Sequence, residues 1–189
     1  MSALHDLLTS YRTSSKTERE KGTYFELLIK DFLKNDPTYS PNFSDVYTHA
    51  DWAILNSKDT RDTGIDLVAK LADEVGYCAI QCKFYDENHK MQKSDLDSFF
   101  TASGKSDFTR RLIVDTTRKE WSEHAETALN GQSILTQRIG LAELENRSID
   151  WSVYHPNTVK LKAKNQLRTH QPAPLQAGKK SISQARPGT

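Results

Sequence analysis

The chain has 189 residues, of which 36% are hydrophobic and 27% charged. That length suits one domain of ordinary size plus some extra chain, and the composition excludes wholesale disorder. The net charge of +1 hides a split: residues 156–189 carry seven basic and no acidic side chains, leaving 19 basic against 25 acidic groups, a net of −6, in residues 1–155. A module so charged is repelled by a phosphate backbone, so any nucleic-acid function must work from a local site or through partners. No apolar run approaches the ~20 residues of a membrane span. The opening MSALHDLLTSYR carries Asp6 and has neither a basic leader nor a cleavage site. A cytoplasmic protein with no membrane partner is expected.

In chain order, Leu4, Leu7, Leu8 and Tyr11 recur at i, i+3, i+4 and i+7 and predict a short amphipathic helix. A longer helix is expected over residues 17–35, with a stripe of Phe25, Leu28, Ile29 and Phe32, ended by Asp36-Pro37. Residues 38–60 are aromatic but unpatterned and read as irregular chain with a strand near Val46. A hairpin follows: Ile65, Leu67 and Ala69 alternate with Asp66, Val68 and Lys70, and a second alternating run covers residues 77–84. A helix is expected over 94–103, begun by Ser94. A buried strand is expected over 111–115, and then a helix capped by Thr117 and Glu120 that Asn130-Gly131 stops. Residues 149–154 read as a closing strand. This order indicates an α/β fold, a mixed central sheet with flanking helices. Cys78 and Cys82 are four apart in one strand, roughly 13 Å, too far for a disulfide. Without further Cys or spaced His partners they read as core residues.

The hairpin carries the chemistry. A turn centred near residues 73 and 74 sets Asp66 opposite Gln81, with Lys83 on the same face as Gln81. A carboxylate, an amide oxygen and an ammonium on a buried sheet face are costly without a purpose. A hard divalent cation supplies one: Asp66, the Gln81 side-chain oxygen and the Cys82 carbonyl suit Mg²⁺, with Mn²⁺ a possible substitute. A water retained by the ion is the natural nucleophile for a phosphodiester, with Lys83 orienting or deprotonating it. Glu26, at the border of the long helix's apolar stripe, can complete the set; its purely structural alternative is a pair with Lys30 at i+4. Lys90, Lys93, Lys105, Arg110 and Arg111 follow the motif and are candidate phosphate contacts, with a plain solvated surface as the alternative.

Glu26 within TYFELLIKDFL, the GID ending in Asp66 and the Gln81-Cys82-Lys83 run together resemble the PD-(D/E)XK nuclease superfamily. The Gln-x-Lys ending is similar to its Mrr branch. Over roughly residues 17–155 the chain resembles the N-terminal nuclease of type ISP restriction-modification enzymes; the specific motifs lie within 64–84. The Pro that usually precedes the motif acid is absent, Gly64-Ile65 standing there. The resemblance implies a restriction-endonuclease-like fold and a Mg²⁺-dependent DNA endonuclease acting on double-stranded DNA with little sequence preference of its own. It also implies a parent polypeptide with helicase-like ATPase, methyltransferase and target-recognition domains, and transient pairing of two nuclease domains to cut both strands. Residues 1–155 are expected to form the nuclease domain and 156–189 a basic linker, in which Leu167-Arg168-Thr169-His170-Gln171 resembles the entry to a superfamily 2 motor. No G-x-x-x-x-G-K-[ST] loop occurs, so ATP would serve only a motor absent from this chain. The alternative is a non-catalytic docking module that braces such a motor.

Overall fold

The computed structural model describes residues 2–61, 64–105 and 107–162. Helices α1 (Ala3–Ser14) and α2 (Glu18–Asn35) start where the sequence supplies a hydroxyl: Ser2 and Thr17 accept hydrogen bonds from the backbone of His5 and Glu20. Strand β1 (Phe43–Thr48) then leads directly into α3 (His49–Leu55). Strands β2 (Leu67–Leu71) and β3 (Tyr77–Lys83) form the expected hairpin. Helix α4 (Asp97–Ala102) connects β3 to β4 (Phe108–Asp115), and α5 (Glu123–Asn130) connects β4 to β5 (Leu135–Ile139). A short α6 (Leu141–Glu145) follows.

The five strands lie side by side in chain order. The β1–β2 and β2–β3 pairs are antiparallel, while β3–β4 and β4–β5 are parallel. Period-two alternation sends the side chains to two cores. Leu67, Ala69, Leu71, Cys78, Ile80, Leu112 and Val114 pack with α1 and α2 through Leu4, Leu8, Phe25 and Phe32. Val68, Ala79 and Ile113 face Trp52, Phe99 and Ala125 of α3, α4 and α5. Coverage on both faces is why β3 and β4 are buried along most of their length. Both cysteines are free. Cys78 lies in the first core, where burial pushes its thiol up to about 12.

Four expectations change. Residues 38–60 hold a helix as well as a strand: Thr48 caps α3 by accepting from the Asp51 backbone, and His49, Trp52 and Ala53 are its buried face. Ser94 does not begin the 94–103 helix, since Gln92 and Asp95 form the cap of a preceding 3₁₀ turn. Ser122, not Thr117, caps α5; the Thr117 hydroxyl donates instead to Asp115. The last strand is β5, an edge strand whose exposed Leu135 and Gln137 give it no apolar alternation. Residues 149–154 form a 3₁₀ turn at Trp151–Val153, because Trp151 and Tyr154 turn inward to bond the Leu144 carbonyl at 3.1 Å and Asp31 at 2.8 Å.

Residues 156–162, placed in the linker by the sequence, turn back: the Asp150 amide donates to Lys160 and the Lys162 amide to Ser148. Residues 163–189, including the Leu167–Gln171 segment, lie outside the described residues. Among the described residues no helix is long and apolar enough to cross a membrane.

The buried Asp31 carboxylate also accepts from the Asn157 amide at 2.9 Å, so it fastens the end of the described chain to α2. Replacing Tyr154 by Phe deletes one of these bonds while keeping the ring. A loss of about 1–3 kcal/mol with an unchanged m value is expected in urea unfolding. A loss below ~0.5 kcal/mol would mean that the segment is not held through Asp31.

Candidate active site

The site is built where β3 outruns β2. Pairing between them ends at Leu67↔Ile80, whereas β3 stays paired with β4 as far as Lys83↔Asp115. Gln81, Cys82 and Lys83 therefore overhang β2. The chain enters this vacated place through Gly64, whose φ is +86°. A Cβ there would stand 2.8 Å from Ser98 Oγ and 3.2 Å from the Phe99 nitrogen, so both the left-handed backbone and the close approach of α4 require glycine. Asp66 follows. Its N–H donates to the Ile80 carbonyl at 3.0 Å, and its carbonyl accepts from the His49 N–H at 2.9 Å.

Continued by one residue, the β2–β3 register sets Asp66 opposite Gln81, as the turn position predicts. Asp66 nevertheless lies outside the ladder, and its carboxylate reaches one residue further: the Cys82 N–H donates to Asp66 Oδ2 at 2.6 Å. Because the N–H and C=O of one strand residue point toward the same neighbour, the Cys82 carbonyl faces the vacated side too. Gln81 is 3% exposed. Its Nε2 donates to the Gly64 carbonyl at 3.1 Å, while its Oε1 is buried with no hydrogen-bond partner.

Glu26 arrives from α2. It is half-buried and lines, with Asp66, Arg19, Gly22, Thr48 and His49, a cleft of about 630 Å³. A Cβ on Gly22 would come to 3.7 Å from Glu26 Oε1, so the glycine one turn earlier leaves open space beside the carboxylate. The Cys82 thiol reports the convergence of charge: burial, then the Asp66 and Glu26 carboxylates, push it well above its ordinary value, and Lys83 opposes them. Lys83 is half-buried, with its Nζ 5.8 Å from the centre of the Tyr85 ring.

Among the described residues no group of three or more His, Cys, Asp or Glu is placed to hold a metal ion. Glu26 and Asp66 line one cleft, and the Gln81 amide oxygen and Cys82 carbonyl belong to the overhanging end of β3 to which Asp66 is bonded. That is a hard donor set, and it suits a cation such as Mg²⁺ that keeps several of its waters. The orphaned Gln81 oxygen fits such a role, because a buried acceptor without a donor costs about 1–3 kcal/mol unless something else satisfies it.

The candidate phosphate contacts scatter. Lys90 is exposed in the loop after β3. Lys93 is paired with Asp97 at 2.7 Å. Lys105 lines a second cleft that meets the first at His49 and Ile65. Arg110 pairs in register with Cys78, five residues back along β3 from Lys83, roughly 17 Å from the site, and is held by Glu74. Arg111 is 4% exposed and bonded to Gln132 and the Phe100 carbonyl, so its guanidinium is engaged within the fold. Sequence reasoning missed His49, Arg19, Lys58 and Trp52, which line the two clefts. The signal that places His49 and Trp52, a Thr48-x-x-Asp51 cap before α3, was present in the sequence.

A family model, Mrr_cat_2, described as a restriction endonuclease, matches residues 34–161. Among solved structures, the chain is similar to the ATP-dependent type ISP restriction-modification enzyme LlaBIII bound to DNA. The identity is 31% and the TM-score 0.67, over 86% of this chain and 10% of that one. It is also similar to MspJI restriction endonuclease in complex with a 27-mer oligonucleotide, at 11% identity and a TM-score of 0.44, over 76% of this chain and 30% of that one. The second likeness is too distant to carry an argument. No curated protein matches the chain. The chain thus spans about a tenth of the LlaBIII polypeptide, and Glu26 precedes the matched family segment.

A substitution separates a structural amide from one kept for another purpose. Gln81→Met removes both the orphaned oxygen and the bond to Gly64, and the two effects offset. Stability in urea is expected to stay within about 1 kcal/mol of the parent. A loss above ~3 kcal/mol would make Gln81 a structural residue. Gly64→Ala, in contrast, is expected to cost about 1–3 kcal/mol or more, because it forces both the backbone and α4.

Proposed function

The chain belongs to the Mrr_cat_2 restriction endonuclease family, with the restriction-endonuclease-like fold of the Mrr branch of the PD-(D/E)XK superfamily, and on that premise we propose that it is a metal-dependent DNA endonuclease domain. It hydrolyses phosphodiester bonds with little sequence preference of its own. The observation that carries the reading is the Asp66 carboxylate bonded to the overhanging end of β3, which also carries the unpartnered Gln81 oxygen and Lys83, with Glu26 lining the same cleft as Asp66.

In this reading Asp66, Gln81 Oε1, the Cys82 carbonyl and Glu26 hold Mg²⁺. When bound, the ion supplies a Lewis acid at the scissile phosphate and lowers the pKa of water beside it. The protein's own groups do the rest. The Cys82 amide and the two backbone bonds of Asp66 fix that carboxylate before substrate arrives, so little reorganisation remains for the reaction itself. Lys83 Nζ donates to a phosphate oxygen, offsetting charge that grows as the attacking oxygen bonds to phosphorus, and orients the attacking water. The Tyr85 ring beside it limits where the ammonium can go.

Likeness to LlaBIII supports a longer parent in which an ATP-driven helicase-like motor, a methyltransferase and a target-recognition domain accompany the nuclease. Double-stranded DNA is then the substrate, ATP belongs to the motor, and two nuclease domains must meet to cut both strands, since one site addresses one strand at a time. A second reading, a docking module that only braces the motor, draws on the net −6 of residues 1–155.

Two measurements test the proposal. Supercoiled plasmid at low salt with Mg²⁺ or Mn²⁺ is expected to be nicked by the parent chain, and Asp66→Ala and Lys83→Ala to lose at least ~10²-fold of that rate. Equal nicking by all three would overturn the site. If none nicks, the same substitutions in the full-length parent decide between nuclease and docking module. Separately, millimolar Mg²⁺ is expected to raise the Tm of the parent and not that of Asp66→Ala. An equal rise in both would remove Asp66 from the metal site.

A further inference from the structure

Beside the Asp66 cleft lies a second one of about 550 Å³, whose lining includes the cations Lys58, Arg61 and Lys105, the carboxylates Asp59 and Asp107, and Trp52. The two clefts share His49 and Ile65 in their linings and so adjoin one another. Three features set the second cleft apart from ordinary surface. First, Trp52 is 3% exposed, and its indole N–H has no hydrogen-bond partner. It packs against Tyr77 and Phe108 with ring centres 5.5 and 5.3 Å away, so its place is fixed. Second, Lys58 Nζ stands 5.4 Å over the same ring while also reaching Asp107 at 2.6 Å. Third, Lys105 is exposed and close enough to Asp59 to join Arg61 in holding that carboxyl below its ordinary value.

These features describe a seat for an anion. A buried indole N–H wants an acceptor, and Lys58 and Lys105 line the same cleft as Trp52. The Lys58–Asp107 pair does not exclude a phosphate, because exposed ion pairs of this kind are weak and exchange readily. In a module whose charge is otherwise net negative, a local pair of cations adjoining the catalytic cleft is what backbone contact needs. We propose that the DNA strand running on from the scissile phosphate lies in this second cleft, with a flanking phosphate held by Lys58, Lys105 and the Trp52 indole N–H. The contact reads no sequence, since it engages backbone alone. It deepens the nuclease reading and rests on it for the direction of the strand, but its own measurement needs no cleavage.

The test is binding of a fluorescently labelled duplex of arbitrary sequence to the full 189-residue chain without divalent metal, followed by anisotropy across about 50–200 mM salt. Lys58→Ala and Lys105→Ala are each expected to weaken binding uniformly across sequences and to reduce the slope of log K against log salt by about one. Lys90→Ala, Lys93→Ala and Arg110→Ala are expected to leave the slope unchanged. Trp52→Phe, which keeps an aromatic ring but deletes the N–H, is expected to weaken binding with little change in slope, and circular dichroism checks that it folds. The inference is overturned if the Lys58 and Lys105 slopes match the parent's, if the Lys90 and Lys93 slopes fall instead, or if the parent shows no salt-dependent binding at all. Failure of the nuclease reading shows elsewhere, in nicking that is absent or insensitive to Asp66→Ala, so the two can fail separately.

Discussion

The hydrogen bond from the Cys82 amide to Asp66 is the contact on which the site depends. A strand that outruns its neighbour leaves backbone donors and acceptors exposed, and such groups must be satisfied. Here one donor is satisfied by a carboxylate instead of a further strand residue, which brings an acid to the end of β3 at little energetic cost. The same overhang leaves the Cys82 carbonyl facing the vacated side and carries Lys83 past the last rung of β2. Ladder geometry and site geometry are thus one fact. Where the ladder stops, the polar groups that would have served the sheet become available for chemistry.

The energetics point the same way. Gln81 keeps a buried oxygen without a partner, a local violation of the rule that buried polar atoms are hydrogen-bonded. Gly64 sits in a conformation that only glycine adopts easily, pressed against α4. Both features cost stability, and both adjoin Asp66: Gly64 shortly precedes it and Gln81 stands opposite it across the hairpin. A local cost of this kind beside a candidate metal-binding acid is what a site kept for function is expected to carry.

Much of this was legible in the sequence because the hairpin is local. Alternation over 65–69 and 77–84, with a short turn between, fixes which residues face each other, and the Asp66–Gln81–Lys83 constellation follows by counting. The long helix carrying Glu26 was legible for a similar reason, its stripe being wide and its cap a threonine. What stayed hidden was decided by distant packing. Strand β5 has no apolar alternation because it is an edge held by parallel pairing to β4. Residues 149–154 have the alternation of a strand, but Trp151 and Tyr154 find partners on α6 and α2 that a strand could not reach. Arg110, among the basic residues after the motif, shows the same limit. Closeness in sequence does not put Arg110 near Lys83, since β4 carries it to the far end of the sheet.

The register of the hairpin has a consequence for where the chain can be altered. Leu67, Ala69 and Leu71 face one core and Val68 the other, so adding one residue within β2 would reverse every side chain between core faces as it moved Asp66 off the Cys82 amide. The tip at 73–75 behaves differently. Its residues are exposed, Val75 almost entirely, and it stands at the end of the hairpin opposite Asp66 and Lys83. Loop closure grows costly only slowly with length. A peptide tag or a small inserted domain at that tip would therefore leave both cores and the Asp66–Lys83 spacing across the sheet as they are, and would offer a handle on the domain away from the Asp66 end of the hairpin.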